Sequence, residues 1–443
     1  MKRKLGVFLV SLFLGVASFS EGYTSKSSSP SHIKTASELL AEQPAKTVKK
    51  TTAKPVVKTA TKTKTTVKPV KKVVAKPTVK PATKVAAVPK QEINTPEYRS
   101  YLIGDKYGNI LFGENMNEKY PLASTTKTMT MILTFEALKR GDVSLSDDVT
   151  ISWEAARMGG AMIPIKAGEV WKLEDLIKAT AIHSANNAAY AVAEHVGKGL
   201  DNFVKMMNDK AVTMGIGDEV EFHTPAGLPP KMTKRGMDMG TAKGMYKIML
   251  EAKNYPDYVA IAGTKNAKIN NDTILLRSKN HLLGKQGIYG LKTGYHATSG
   301  YNILVMGEKD NLDLCFVVLG GRTAKIRDAK VLDLDTIARE KFSEQEIVKK
   351  DIPLAEIPVE NGMKNLIAAY PDSDYVKIVK KMENVNVKVE RKEKLEAPIT
   401  PSTDIGKYKV VIDGEVVYEG KLVVKESIEK KSFWDRILEW FHS

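Results

Sequence analysis

Ser124 is followed three residues later by Lys127, and the types and spacing of this pair could perform nucleophilic chemistry. A serine hydroxyl is a poor nucleophile until a base takes its proton, and an uncharged lysine amine can be that base. On a helix, residues three apart lie on one face, which would bring the two side chains together. The same Ser-x-x-Lys spacing also begins at Ser31 and at Ser427. The pair alone therefore does not distinguish a nucleophile from the polar start of a helix.

Two further polar motifs follow this pair in a definite order. Ser184 and Asn186 form a Ser-x-Asn motif 60 residues after Ser124, and the chain's only Lys-Thr-Gly, Lys292–Gly294, begins 108 residues after Ser184. Ser-x-Asn also occurs at Ser278. Each motif alone has an ordinary interpretation as a helix cap, a turn or a strand end. The ordered set of three is far more specific than any one of its members.

The chemistry of the first two motifs suits acyl transfer. Burial and a nearby positive charge on Lys292 would lower the pKa of Lys127, so that its amine could accept the proton of Ser124. The N–H of Ser124, at the N-terminus of a helix, could stabilise an oxyanion. Ser184 could relay a proton to the leaving amine, and Asn186 could hold a substrate amide.

The third motif suits recognition of a carboxylate. On a strand, Lys292 and Thr293 would offer a cation and a hydroxyl to a negatively charged end of a substrate. Gly294 has no side chain and would let substrate backbone approach closely. The N–H of Tyr295 would be the second donor of an oxyanion hole. We therefore interpret the three motifs as one serine-dependent site.

The surrounding sequence predicts an α+β domain that positions these motifs. Alternation in YLIGDKYGNILFGEN predicts a hairpin that turns at residues 106–109. Helices are predicted after the Ser-x-x-Lys pair, at 173–182 and at 188–196, and Asp201 is expected to cap another. Three strands follow in GIYGLKTGY, SGYNILVMG and LDLCFVVLGG. Helices from the middle and strands from both ends indicate one antiparallel sheet against a helical cluster.

Nearly the whole chain from residue 97 resembles the low-molecular-mass penicillin-binding proteins that are D-alanyl-D-alanine carboxypeptidases, peptidase family S11. YPLASTTKTMT, HSANNAAYAVAEHV, FHTPAGLP and GLKTGYHATSGYNILVMG are similar to successive blocks of that family. GGRTAKIRDAK is similar to the block whose second arginine, here Arg327, binds the terminal carboxylate of the substrate, and Arg322 is the rival candidate. Ser-Gly-Asn is the commoner second motif of the family, whereas Ser-Ala-Asn stands here.

The resemblance implies a serine β-lactamase/DD-peptidase-like catalytic domain of two lobes with the site between them. It implies that Ser124 attacks the last D-Ala–D-Ala bond of a peptidoglycan stem peptide, that D-alanine leaves, and that water resolves the acyl-enzyme. β-Lactam antibiotics should acylate the same serine. No cofactor and no metal is expected, and no Cys/His spacing suggests one. Cys315, the single cysteine, excludes an internal disulfide and is interpreted as a buried strand residue.

Three alternatives share part of this pattern. A D,D-endopeptidase of peptidoglycan cross-links would carry the same three motifs. A class A β-lactamase would carry a Glu-x-x-Leu-Asn segment between the second and third motifs, and the sequence has none from Ser184 to Lys292. A non-catalytic wall-tethering protein, in which a basic tract does the work, would not need Ser124 and Lys127.

The remaining sequence predicts several segments around the catalytic domain. Residues 1–20, with basic residues before an apolar run, are predicted to be a signal peptide or, alternatively, an uncleaved N-terminal anchor. The Lys/Pro/Thr-rich residues 21–92 cannot bury a core and are predicted to be a disordered linker. The catalytic domain is assigned to 93–347, a small all-β domain to 348–426, and an amphipathic membrane-anchor helix to 427–443. The linker is interpreted as a spacer or as a polycation for anionic wall polymer or membrane.

The positive charge of the chain belongs to that linker. The net charge is +16, yet 14 lysines and no acidic residue lie between Lys46 and Lys90. Outside this tract and the basic N-terminus the charge is close to zero, so no folded basic face is indicated. A nucleic-acid-binding domain would carry clustered Lys and Arg on its fold and is therefore excluded.

Residues 432–443, SFWDRILEWFHS, predict an amphipathic helix with Phe433 and Trp434 on its apolar face. Twelve residues are too few to span a bilayer, but such a helix can lie in the membrane interface. The alternative is a terminal helix docked on its own β domain. We therefore expect an exported protein at the outer face of the cytoplasmic membrane. Its expected partners are peptidoglycan stem peptides, β-lactams and the membrane surface.

Overall fold

The structure, a computed structural model, describes residues 97–442. The predicted signal peptide, residues 1–20, and the predicted linker, residues 21–92, lie outside the described residues. Side chains are described up to residue 437. The domain limits given above stay predictions.

The strands of the first part of the chain are, in order, β1 Ser100–Asp105, β2 Ile110–Glu114, β3 Tyr120–Pro121, β4 Asp148–Thr150, β5 Val170–Lys172, β6 Val220–Glu221, β7 Met239–Gly240, β8 Asn266–Ile269, β9 Ile274–Arg277, β10 Ile288–His296, β11 Gly300–Lys309 and β12 Leu312–Gly321. Five of them form an antiparallel sheet in the order β10-β11-β12-β1-β2. This sheet joins strands from the two ends of the domain, as the sequence predicts.

The helices of the same part are α1 Lys127–Arg140, α2 Trp153–Ala156, α3 Leu173–Lys178, α4 Asn186–Gly197, α5 Leu200–Thr213, α6 Pro230–Thr233, α7 Ala242–Ala252, α8 Pro256–Ala262 and α9 Ala324–Lys341. α1 ends at Gly141, whose φ of 77° closes the helix in the left-handed conformation. The sequence predicts this end.

Both faces of the central sheet are buried, because helices cover each of them. Side chains of a strand alternate between the two faces. Val317 and Leu319 of β12 therefore join the core shared with the helical cluster, whereas Phe316 and Val318 pack with α9 residues such as Val331. This arrangement confirms the predicted α+β fold.

One local prediction is wrong, and a second is correct in its extent but not in its helix geometry. Asp201 does not cap α5: Gly199 occupies the cap position, and Asp201 lies in the first turn, where its carboxylate pairs with Arg235 at 2.7 Å. The single helix predicted at 173–182 is α3 followed by a π turn, Ala179–His183. The spacing of apolar residues does not distinguish an α-helical turn from a π turn, because a π turn contains only one more residue between its hydrogen-bonded groups.

The second part of the chain is built of strands around its own apolar core. They are β13 Phe342–Val348, β14 Ala355–Glu360, β15 Leu366–Pro371, β16 Tyr375–Lys380, β17 Val385–Arg391, β18 Leu395–Glu396, β19 Gly406–Ile412 and β20 Glu415–Val423. β13 pairs with β16, and the others form a sheet in the order β17-β19-β20-β15-β14-β18. Asp413 and Gly414 join β19 to β20 with φ of 47° and 91°, which confirms the predicted type I′ turn.

A helix, α10, Phe433–His442, ends the described chain. Ser432 caps it, since its hydroxyl oxygen accepts the N–H of Asp435 at 3.3 Å, and the Asp435 carboxylate in turn accepts the N–H of Ser432 at 2.8 Å. Phe433 and Trp434 are 70% and 71% exposed. These two rings do not dock on the β domain. Within residues 97–442, no helix has the length and apolar character needed to cross a membrane.

Candidate active site

Ser124 lies in a single 3₁₀ turn, Ala123–Thr126, and Lys127 is the first residue of α1. The sequence places both residues on one helix. The 3₁₀ turn brings them together equally well, because its three residues per turn align side chains i and i+3. The Nζ of Lys127 lies 2.9 Å from the Oγ of Ser124. The pair is therefore within hydrogen-bond reach.

The amine of Lys127 is fully buried and is held by two further oxygen atoms. It donates to Oδ1 of Asn186 at 2.7 Å and to the carbonyl of Ala226 at 2.8 Å. A neutral amine has two N–H bonds and one lone pair. The two oxygens use both N–H bonds, which leaves the lone pair for the proton of Ser124. This geometry suits a general base.

The charge environment of Lys127 favours its neutral form. Burial lowers the pKa of Lys127 well below its usual value, and the positive charges of Lys292 and Lys279 lower it further. The negative charge of Asp238 acts in the opposite direction. Burial and Lys292 are the causes that the sequence predicts. Lys279 and Asp238 are not found by sequence reasoning.

Ser184 and Asn186 lie where the π turn meets α4. Ser184 ends the π turn with a φ of 64° and is 3% exposed. Nδ2 of Asn186 donates to the carbonyl of Gly159 at 2.7 Å. Both ends of the Asn186 amide are thus engaged within the protein, and this amide positions Lys127. Its expected contact with a substrate amide stays a prediction.

The Lys-Thr-Gly motif occupies β10 and lies against the Ala123–Thr126 turn. Lys292 and Thr293 are buried, and Nζ of Lys292 donates to the carbonyl of Thr293 at 2.9 Å. A Cβ on Gly294 would lie 3.0 Å from the carbonyl of Leu122 and 3.0 Å from the nitrogen of Ser124. Only a residue without a side chain lets β10 approach the turn this closely.

The second lysine of the site also has an altered pKa. Burial lowers the pKa of Lys292 to about 7, and the positive charges of Lys279 and Arg327 contribute to this shift. Lys292 is therefore charged below about pH 7. A bound anion would stabilise its charged form further.

Tyr295 follows the motif at the exposed end of β10. Its ring is 56% exposed and stacks on Tyr301 of β11, with 4.2 Å between the ring centres. The aromatic pair forms part of the surface beside Gly294. The expected role of the Tyr295 N–H in an oxyanion hole stays a prediction.

The two arginine candidates occupy different environments. Arg327, on α9, is 3% exposed, and its guanidinium binds Asp328 at 2.6 Å and lies near enough to Lys292 to lower its pKa. Arg322 is exposed, and its side chain lies 3.7 Å from Glu97. Arg327 is thus a buried arginine whose charge reaches Lys292, and its expected role in binding a substrate carboxylate stays a prediction.

Several groups of the site could not be predicted from the sequence, because no motif marks them. The carbonyls of Gly159 and Ala226 are backbone atoms, and any residue type supplies them. Asp238 lies in RGMDMG, which has no recognisable motif. Lys279 lies inside the second Ser-x-Asn, which begins at Ser278 and which the sequence analysis treats as a weak repeat. Its charge nevertheless acts on both lysines of the site.

An antiparallel sheet flanked by helices, with a Ser–Lys pair facing a Lys-Thr-Gly strand, defines the active-site serine peptidases of the penicillin-binding protein class. Residues 84–323 match the peptidase S11 family, described as D-alanyl-D-alanine carboxypeptidase. The chain belongs to this family. Residues 342–430 match the C-terminal domain of penicillin-binding protein 5, which agrees with the separate β core.

Curated relatives and solved structures agree with this assignment. The chain is 31% identical over 339 residues to the D-alanyl-D-alanine carboxypeptidase DacF of Bacillus subtilis, covering 75% of this chain and 86% of the relative. It is 27% identical over 376 residues to DacC of Escherichia coli, covering 81% and 92%. Penicillin-binding protein 5 of Haemophilus influenzae has a similar structure, with a TM-score of 0.62 and 26% identity, covering 75% of this chain and 98% of the other.

Proposed function

We propose that the protein is a serine-type D-Ala-D-Ala carboxypeptidase that removes the terminal D-alanine of peptidoglycan stem peptides. The observation that carries the proposal is the buried amine of Lys127, 2.9 Å from Oγ of Ser124 and held by Asn186 and Ala226. Its family membership and its relatives' names support the same activity.

In the first half-reaction, Oγ of Ser124 attacks the carbonyl carbon of the penultimate D-alanine, and its proton passes to Nζ of Lys127. A serine ester forms and the C–N bond breaks. The leaving amine needs one proton, which the hydroxyl of Ser184, a buried residue between the π turn and α4, can relay. D-Alanine departs, and water hydrolyses the ester in the second half-reaction.

The negative charges of the reaction require their own stabilisation. The N–H groups of Ser124 and Tyr295, brought together by the close packing at Gly294, would bind the developing oxyanion. The terminal carboxylate of the substrate would be bound by Lys292 and Thr293, with the charge of Arg327 behind them. Because Lys292 is charged below about pH 7, binding of an anionic substrate should be strongest there.

β-Lactams should acylate the same serine, because their ring carbonyl presents an amide to the same nucleophile. A related fold, penicillin-binding protein D2 of Listeria monocytogenes, has been solved in an ampicillin-bound form, with a TM-score of 0.50 and 23% identity. At this identity the likeness concerns the fold. The proposal for this chain rests on its own Ser124–Lys127 pair.

We also propose that the protein is exported and held at the outer face of the cytoplasmic membrane by residues 432–443. The exposed rings of Phe433 and Trp434 support this location, since an apolar aromatic face without a protein partner suits the lipid interface. The predicted signal peptide, 1–20, supports export.

Release of D-alanine from purified substrates tests the proposed activity. We expect release from an N-acetylated pentapeptide that ends in D-Ala-D-Ala, none from the matched D-Ala-L-Ala peptide, and none with Ser124→Ala. A cross-linked muropeptide dimer in the same assay addresses the D,D-endopeptidase alternative. Faster cleavage of the cross-link than of the pentapeptide would favour that alternative.

A further inference from the structure

Asp238 is a buried carboxylate beside the proposed active site that the mechanism above does not use. It is 1% exposed and lies next to β7, which pairs with β3 just before the Ala123–Thr126 turn. Its Oδ1 accepts the N–H groups of His223 and Thr224 at 2.5 and 2.9 Å. Its Oδ2 accepts the hydroxyls of Thr224 and Thr126 at 2.6 and 3.3 Å. Burying a carboxyl group costs free energy unless it is hydrogen-bonded. The four donors around Asp238 offset this cost.

One of these partners, Thr224, fixes the backbone of the following loop. Its Oγ1 donates to Asp238 and accepts the N–H groups of Gly227 at 2.9 Å and of Ala226 and Leu228 at 3.3 Å each. A hydroxyl that accepts three N–H groups has its own proton left for the carboxylate. The orientation of the 224–228 loop therefore depends on Asp238.

That loop contacts both members of the Ser–Lys pair. The carbonyl of Ala226 accepts from Nζ of Lys127 at 2.8 Å. Gly227 adopts a φ of 75°, and a Cβ there would lie 1.7 Å from the carbonyl of Ala123, so the loop rests directly on the Ala123–Thr126 turn. A shift of the loop would move the base and the nucleophile relative to each other.

Asp238 also holds the turn from its other side. Its backbone carbonyl accepts the N–H of Leu122 at 2.9 Å, and its carboxylate binds Thr126 at the end of the turn. The two ends of the Ala123–Thr126 turn and the loop beneath it are thus tied to one residue.

We propose that Asp238 is a positioning residue of the proposed reaction, which holds the turn of Ser124 and, through Thr224, the carbonyl that orients Lys127. It touches neither the substrate nor the reacting atoms, and it acts through these two elements. The inference rests on the proposed function, since it concerns the geometry of the same serine and base.

The charge of Asp238 supplies a signature that a purely structural role would lack. The charged groups that face Lys127 are Lys292 on β10, Lys279 after β9 and Asp238. Those that face Asp238 include His223 and the hydroxyl of Tyr190 on α4. Asp238 is the group that favours the protonated base, so its removal lowers the pKa of Lys127.

The test is the second-order rate of acylation by a fluorescent penicillin, measured across pH on the full chain with Asp238→Asn. This change keeps the shape and removes the charge. Since small displacements of reacting groups cost about ten- to hundredfold in rate, we expect a loss of about tenfold or more at the plateau. The rising limb should move to lower pH, because Lys127 then loses its proton at lower pH.

Asp105 provides the matched control. It is also fully buried, and it accepts the N–H groups of Tyr107 at 2.8 Å and Asn109 at 2.9 Å in the β1–β2 turn. Asp105→Asn should lower the melting temperature and leave the acylation rate within about twofold and the pH limb in place, because additive effects are expected for distant sites.

Thr224 provides a second, independent variant in case Asp238→Asn does not fold. Thr224→Val removes the hydroxyl and leaves the carboxylate, and it should slow acylation. Thr224→Ser restores the hydroxyl and should restore the rate.

The inference is overturned if folded Asp238→Asn or Thr224→Val is acylated at the wild-type rate with an unmoved pH limb. It is also overturned if Asp105→Asn slows acylation as much as Asp238→Asn. A wild-type protein that is not acylated contradicts the proposed function itself, and the inference fails with it. Acylated wild type with unchanged variants refutes the inference alone.

Discussion

At the scale of single residues, the proposed mechanism requires two buried lysines in opposite protonation states. Lys127 must be neutral to accept a proton, and burial together with Lys292 and Lys279 lowers its pKa. Lys292 must be charged to bind a carboxylate, yet burial lowers its pKa to about 7. The two tasks are compatible because the positive charge of Lys292 is one of the causes that lower the pKa of Lys127. Acylation should therefore rise with pH as Lys127 loses its proton.

Lys127→Arg tests the role of the base. The guanidinium is always positively charged, because it does not lose its proton in the accessible pH range, and so it cannot accept a proton as the neutral amine of Lys127 can. Since general-base catalysis contributes about 10²- to 10⁴-fold, we expect acylation by a fluorescent penicillin to fall by about that factor. Thermal unfolding of the same variant checks that the protein is folded. A folded Lys127→Arg protein with wild-type acylation would assign the base elsewhere.

Lys292→Met should stabilise the protein while it impairs substrate binding. The pKa of Lys292 is about 7 when folded against 10.5 as the ordinary value, so the unfolded chain binds more protons between these pH values. Stability of the wild type therefore falls as pH decreases through this window. Methionine removes this cost, and the gain in melting temperature should be full below about pH 7 and shrink towards pH 10.5.

Lys309→Met, at an exposed lysine on β11, is the control for this stability measurement. It should show no pH-dependent gain, because an exposed amine is not desolvated. If Lys292→Met raises the melting temperature equally at pH 7 and pH 10, burial of the charged Lys292 amine does not destabilise the wild type.

At the scale of elements, the site depends on the contact between β10 and the Ala123–Thr126 turn. The contact is backbone against backbone, since Gly294 has no side chain to separate them. It sets the spacing between the N–H groups that should bind the oxyanion. The 224–228 loop supports the turn from another side.

Gly294→Ala tests this contact. The added methyl group would lie 3.0 Å from three backbone atoms, which cannot move aside as a flexible side chain could. We expect a loss of acylation of about tenfold or more, since oxyanion-hole donors each contribute about 10²–10³. Gly307→Ala on β11 is the control, because its methyl group would meet side-chain atoms at 3.3 Å and beyond. Equal rates for both variants would contradict the importance of the contact.

Some helices, strands and turns of this structure could be predicted from the sequence, and others could not. The strands β10, β11 and β12 and the Asp413–Gly414 turn follow from apolar runs and turn residues, which local physics dictates. The π turn before Ser184 and the wrong cap at Asp201 show where local patterns fail, because tertiary packing decides between similar turns. The three motifs identify the site. Its supports at Ala226, Gly159 and Asp238 come from distant loops whose meeting no local pattern specifies.

At the scale of the whole molecule, the described chain combines a site-bearing α+β part, a β part with its own core and a terminal helix. α10 presents Phe433 and Trp434 to solvent, although burying two such rings would stabilise a soluble protein. This exposure is explained if the rings are buried in a membrane surface.

Removal of residues 433–443 tests the proposed membrane attachment. We expect the truncated protein in the soluble fraction after cell breakage, whereas the full chain sediments with membranes. The double variant Phe433→Ser/Trp434→Ser should also move to the soluble fraction. The control Arg436→Ser, on the polar face, should still sediment with membranes. If the truncated protein still sediments with membranes, another anchor must exist, such as residues 1–20 retained as an uncleaved N-terminal segment.

The central claim, that Ser124 is the nucleophile of a penicillin-sensitive peptidase, is tested most directly by mapping an ampicillin adduct. The tryptic peptide Tyr120–Lys127 contains Ser124 as its only serine. After a brief incubation and acid quench, mass spectrometry should show one ampicillin mass on this peptide and none in Ser124→Ala. An adduct on a peptide that contains Ser31 or Ser427, or one that persists in Ser124→Ala, would contradict the claim.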